Sequence, residues 1–182
     1  MKRILLLLTF FLWMGCSPQK AKNEVGAEQA TEDTGQSNVQ DDVSNPNVVQ
    51  VAISSPDHTT LVAALKAAGY VDELSNAGPF TVFAPTNAAF DKLPEGTVET
   101  LVKPENRDKL RNILEYHVYV GSLSEIFLKD GMTLNQVNLK NVRISKKDGK
   151  LMVNEANIIG SVKAANGMVY VIDGVLLPED KK

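Results

Sequence analysis

The spacing of apolar residues changes character about halfway along the folded part of the chain. In the first half it is mainly helical. Val48, Val49, Val51, Ala52 and Ile53 predict a short helix. Ser55-Pro56-Asp57 looks like a helix cap with proline at the first helical position. Leu61, Val62, Leu65 and Ala68 then recur at helical spacing, and Gly69 is placed to end that helix. Val71 to Leu74 add a turn. Gly78-Pro79 interrupts the pattern, and Phe80 to Ala84 read as a buried strand. Pro85-Thr86-Asn87 opens another short helix carrying Ala88, Ala89 and Phe90. Pro104 starts a longer one with Leu110, Ile113 and Leu114 on one face.

In the second half the apolar residues alternate roughly with period two, over Thr133 to Val137, Val142 to Ser145 and Leu151 to Val153. Asp148-Gly149 and Asn166-Gly167 are dipeptides that favour two-residue hairpin turns, because both turn positions need positive φ. Val162 to Ala164 and Val169 to Ile172 flank the second of them. Helices first and strands later predict an α+β fold rather than a parallel α/β sheet. No internal repeat of the length that builds a solenoid is present.

Two segments precede this domain. Met1-Lys2-Arg3 is a basic head, and Ile4 to Met14 is an apolar run in which Thr9 is the one exception. A bilayer-spanning helix needs roughly 20 such residues, so the run reads as a secretory signal over residues 1–15. The alternative, a buried N-terminal helix, is disfavoured by the polar segment that follows. Residues 17–46 contain no Leu, Ile, Met or aromatic residue and carry two lysines against six acids. Such a segment cannot bury enough apolar surface to offset its ordering entropy, so residues 16–46 are expected to be a disordered tether. Its ends would sit about 30 Å apart as a flexible coil. The domain is then placed at residues 47–180.

Composition narrows the chemistry. Nineteen basic and 22 acidic residues give a net charge of -3. That balance lacks the basic stripe of a nucleic-acid binder. One cysteine excludes an internal disulfide and a thiolate zinc cluster. His58 and His117 are the only histidines, leaving little for a metal site, and no cofactor is expected. No Gly-x-Ser-x-Gly elbow, P-loop or Gly-x-Gly-x-x-Gly follows a strand, and no pair of carboxylates stands out. The expectation is a protein that is not an enzyme. An envelope hydrolase working through two unmarked carboxylates is the weakest reading.

Gly15-Cys16-Ser17 closes the apolar run. It resembles the bacterial lipoprotein signal, in which a small residue precedes a lipid-modified cysteine. The resemblance implies Cys16 as the lipid attachment site and the cell envelope as the location, membrane-anchored at the outer membrane or facing the periplasm. A protein secreted free is the outcome if Cys16 is not lipidated. Several acyl chains on one cysteine would hold the chain firmly. Removing residues 1–15 would also remove Trp13, the only tryptophan.

Three further stretches share one family resemblance. The run from Gly78 to Phe90, Gly-Pro-Phe-Thr-Val-Phe-Ala-Pro-Thr-Asn-Ala-Ala-Phe, closes with Leu93-Pro94. It looks like the first signature of the fasciclin domain. Tyr116-His117, followed by Val118, resembles that family's central motif. Asn166 to Pro178 resembles its second signature, with Tyr170 where histidine is common. The order and distances suit one domain. The resemblance implies packed antiparallel sheets, a sandwich or wedge, with several helices against one side. It also implies a role in adhesion and extracellular binding rather than catalysis, with cell-surface or matrix proteins or polysaccharide as partners.

The residues themselves read as mostly structural. Phe80, Val82, Phe83, Phe90 and Val171 are expected in the core. Thr86 and Asn87 are expected to cap a helix, Gly167 to serve its turn, and Asp173 to bond nearby backbone rather than a metal. Tyr116 and His117 lie at the end of a predicted helix, where a histidine can bond the last carbonyls and favour the dipole. The family motif at this place is linked to adhesion, so the pair is both a structural and an adhesion candidate. Lys146, Lys147 and Lys150 surround the Asp148-Gly149 turn and form a weak polyanion patch, or simply a solvated hairpin that discourages edge pairing. A second function class remains open at this point: a carrier or sensor holding a small apolar or sugar ligand between sheet and helices.

Overall fold

The computed structural model describes residues 45–178. The predicted signal, Cys16 and the tether as far as residue 44 lie outside the described residues. Six helices and seven strands follow in chain order among those described. They are α1 Val48–Ser54, α2 Thr59–Ala68, α3 Val71–Ser75, β1 Phe80–Pro85, α4 Asn87–Phe90, α5 Thr97–Leu101, α6 Arg107–Glu115, β2 Val118–Val120, β3 Thr133–Asn135, β4 Asn141–Lys147, β5 Lys150–Val153, β6 Ala156–Ala164 and β7 Gly167–Ile172.

Local chemistry explains the helix ends. Asn47 accepts the backbone N–H of Gln50 while the Gln50 side chain accepts that of Asn47, so two of the orphan donors at the start of α1 are satisfied reciprocally. Gly69 adopts the left-handed conformation, φ 63°, that closes α2. Arg107 Nε donates to the carbonyl of Ala68, tying the start of α6 to that same end. The expected Ser55 cap takes another form: its hydroxyl makes no cap bond and lies 2.8 Å from His58 Nδ1. Thr86 caps α4 through Ala89 N–H. Asn87 serves α2 instead of its own helix, accepting from Thr60 N–H and donating to the carbonyl of Pro56.

The strands form one sheet in the order β2-β1-β7-β6-β5-β4-β3. The pairs are antiparallel except β1 with β7, which run parallel from Phe80 opposite Gly167 to Pro85 opposite Ile172. That pair departs from the antiparallel expectation: the one strand of the first half is inserted between β2 and β7. The sheet bends within β6. Only Ala156 and Asn157 pair with β5, and a register irregularity between Ile158 and Gly160 precedes the long pairing with β7. Bulges of this kind sharpen bend and twist.

The bend makes two cores, one on each face of β1 and β7. Val82, Ala84 and Val169 point to the helices and pack with Leu61, Leu65, Leu110 and Leu114. Phe83, Tyr170 and Ile172 point the other way and meet Leu134, Val142, Ile144 and Val153 of the folded-back strands. The rings of Phe83 and Tyr170 stack with centroids 5.9 Å apart. Each such side chain contributes roughly 1.5–3 kcal/mol on burial, so both faces of the β1–β7 pair are strongly committed.

The two predicted turns differ. Asp148 (φ 50°) and Gly149 (φ 80°) form the β4–β5 turn with the positive dihedrals expected. At the second site Ala164 pairs with Gly167, so the loop is Ala165-Asn166, and neither Asn166 nor Gly167 has positive φ. Gly167 is needed for a different reason: a Cβ there would lie 2.0 Å from the carbonyl oxygen of Phe80, its partner in β1. Asn166 is a clamp. Its Oδ1 accepts Val48 N–H, and its Nδ2 donates to the carbonyls of Leu74 and Asn76, at 2.8–2.9 Å. It thereby fixes α1 and α3 against the sheet.

Candidate functional site

Tyr116 and His117 follow directly from α6. The helix places Leu110, Ile113 and Leu114 in the core, so the residues that end it are drawn inward. His117 is buried, with 3% of its surface exposed. Its Nδ1 lies 2.8 Å from the carbonyl of Ile113, and its Nε2 lies 3.0 Å from the backbone N–H of Leu176. One tautomer satisfies both: Nδ1–H donates to Ile113, and the bare Nε2 accepts from Leu176. Burial pushes the ring's pKa down to about 4, against the opposing pull of the Ile113 carbonyl. The ring is therefore neutral near pH 7. It bonds a carbonyl of the last helical turn without the cationic dipole interaction anticipated from sequence. Its effect is to join α6 to the segment after β7.

Tyr116 is also inside, 5% exposed. Its hydroxyl donates to the carbonyl of Asn141 (2.9 Å) and accepts from Asn154 Nδ2 (3.2 Å). These partners sit at the base of the β4–β5 hairpin. Lys146, Lys147 and Lys150 sit at its tip, with Lys147 opposite Lys150. Six residues of β4 separate base from tip, about 20 Å at the rise of a strand. The motif pair and the lysines thus occupy opposite ends of one hairpin and do not form one site.

Asp173 accepts both the backbone N–H and the side-chain amide of Asn157, each at 2.8 Å. Those bonds and nearby Lys92 outweigh partial desolvation and hold its carboxyl below the usual range. Among the described residues no group of three or more His, Cys, Asp or Glu could hold a metal ion. Tyr170, the departure at the family's histidine position, is fully buried and donates to the carbonyl of Leu123 at 2.8 Å. The tyrosine thus supplies a polar contact of its own at that position.

Two apolar spaces, one beneath α1 and one beside α5, measure about 20 Å³ each, one water's worth. Two larger concavities among the described residues are open. One of about 630 Å³ lies between β6, the tip of the β4–β5 hairpin and the 3-10 turn Glu125–Phe127. Another of about 560 Å³ is lined by Leu123, Phe127 and residues 129–132. Ile126 is 80% exposed and Ile159 is 59% exposed at the first cleft. Sequence reasoning missed both. The Ile158-Ile159 doublet, which breaks strict alternation in β6, was the one available signal.

Comparison with known proteins agrees with this architecture. The fasciclin domain family matches residues 56–178. The chain is 48% identical to Protein sll1483 of Synechocystis over 132 residues, covering 72% of this chain and 73% of that protein. It is 39% identical to Immunogenic protein MPB70 of Mycobacterium bovis over 170 residues, covering 90% and 80%. It is also 39% identical to Cell surface glycolipoprotein MPB83 of the same species, covering 90% and 70%. Among solved structures, the domain pair from the insect cell adhesion molecule Fasciclin I superposes with a TM-score of 0.66 at 20% identity. That match covers 73% of this chain and 51% of the insect chain, so the chain spans about half the length of that pair. The two cores, the α+β order and these matches together show that the chain belongs to the fasciclin domain family.

Proposed function

We propose that this protein is a non-catalytic binding module of the cell envelope. On this reading it is exported, held to a membrane by lipid on Cys16, and attaches to cell-surface or matrix proteins or to polysaccharide. The observation that carries the reading is where the molecule has room. Among the described residues the two interior apolar spaces beneath α1 and beside α5 are water-sized, whereas two open clefts reach hundreds of Å³ and carry exposed apolar side chains and lysines. Small-molecule sites of roughly 300–1,000 Å³ bury most of their ligand, whereas the two spaces of that size here are open, so the geometry favours a surface binder over a carrier or sensor. The relative named as a cell surface glycolipoprotein supports the location.

The test has two arms. Intact mass of the chain recovered from membranes should show loss of residues 1–15 and acylation at Cys16. The exported chain, spread over an array of polysaccharides, matrix proteins and whole cells, should bind at least one saturably and turn over no member of a glycan or ester panel. Unmodified Cys16 would overturn the anchoring. Turnover without binding would overturn the function.

A further inference from the structure

β6 is longer than its pairing. Its first two residues pair with β5, and from Ile158 to Ala164 β7 is its one strand partner among the described residues. Ile159, Ser161, Val162 and Lys163 are all exposed there. A strand with one side unpaired presents main-chain N–H and C=O groups to any strand that can reach it. The 630 Å³ cleft runs along this side, with Ile158 to Ser161 as one wall and Leu151, Lys146 and Lys150 as another.

The side chains around the cleft match a particular guest. Ile126 and Ile159 project apolar surface that no core residue covers. Lys146 and Lys150 line the cleft against a single lining acid, Glu125, and Lys147 adds charge at the tip beside Asp148. We infer that this edge docks an extended acidic segment of a partner protein, which adds as a strand beside β6 and sets apolar side chains on Ile126 and Ile159 and carboxylates at Lys146 and Lys150. This rests on the binding reading above and gives it a site and a partner class. A lipid surface or a polysaccharide could meet the lysines, but neither carries alternating N–H and C=O groups. A second copy would offer lysines of its own at this edge rather than carboxylates. The irregularity at Ile158 and Gly160 and the lysine at 163 restrict the edge to a short strand of about five residues, about 17 Å.

The experiment follows the backbone amides of 15N-labelled exported chain, residues 16–182 carrying Cys16→Ser. The probe is a heptapeptide alternating glutamate with valine. Saturable shifts centred on residues 159–163 are expected. N-methylation of alternate peptide residues removes the strand bonds and should weaken binding about tenfold or more. Ile126→Asp and the pair Lys146→Glu with Lys150→Glu change exposed positions, so the remaining spectrum should be unchanged while affinity falls by a similar factor. Shifts centred elsewhere would overturn the proposal, as would equal binding of the N-methylated peptide. So would shifts at these amides with phosphatidylglycerol vesicles but not with the peptide, which would point to a lipid surface. Array binding that survives both variants would leave the surface-binding function standing and remove this site from it.

Discussion

Acidification from pH 7 to pH 5 should cost the folded domain about 2 kcal/mol through His117 alone. In the native state the ring titrates near pH 4, because protonation would have to occur in the core and would convert Nε2 from the acceptor of Leu176 N–H into a donor facing a donor. In the unfolded chain it titrates near its ordinary value of 6.5. Between these values the unfolded state binds the extra proton, so stability rises with pH and is lost as pH falls. Each pH unit inside the window is worth about 1.4 kcal/mol, and the stretch from 6.5 to 5 therefore yields about 2 kcal/mol. His58 is also buried and held below its ordinary value by desolvation, so it adds to the slope with the same sign. Carboxylates, with ordinary values near 4, contribute mainly below this range. The assay is urea unfolding at pH 7 and pH 5 of the wild type and of His117→Gln. The variant will be less stable at both values, but its loss on acidification should be smaller than the wild type's by about 2 kcal/mol. Equal losses in the two proteins would refute the assignment of a buried neutral ring.

Three further outcomes test the packing by chemical denaturation. Gly167→Ala forces a Cβ to within 2.0 Å of the Phe80 carbonyl and should part β1 from β7, costing about 3 kcal/mol or more; a loss below 1 kcal/mol would contradict the close approach. Asn166→Ala removes three hydrogen bonds between the β6–β7 turn and helices α1 and α3 and should cost about 2–3 kcal/mol, with amide exchange quickening in Val48 and the α3 end. Tyr170→Phe keeps the stack on Phe83 but strips the Leu123 carbonyl of its donor, for a loss of about 1–2 kcal/mol without change in the far-ultraviolet spectrum.

The parts of the fold legible in sequence are those whose cause is local. α2 follows from four apolar residues at helical spacing and a glycine at its end, and the Asp148-Gly149 turn follows from the dihedrals it needs. The parts that were not legible depend on distant partners. α5 has no buried residue, and β2 is three residues long, so neither carries a periodic signal of its own. The parallel neighbour of β1 lies more than 80 residues away. Asn166-Gly167 carries a turn signature, yet its two side-chain positions are set by contact with α1, α3 and β1 rather than by the turn. The same division holds for the candidate site. Tyr116, His117 and the hairpin lysines could be named, but their separation along the β4–β5 hairpin could not. The cleft depends on where β5 leaves β6, which no local pattern encodes.

Attachment from the envelope is tested by adhesion under flow. Three cultures are compared over a surface coated with the array's strongest binder: cells exporting the full chain, cells exporting its Cys16→Ser form, and cells lacking the chain. The first culture should be retained above the third, the second should fall to the level of the third, and its shed chain, added back, should block the first. Equal retention of all three would contradict attachment from the envelope.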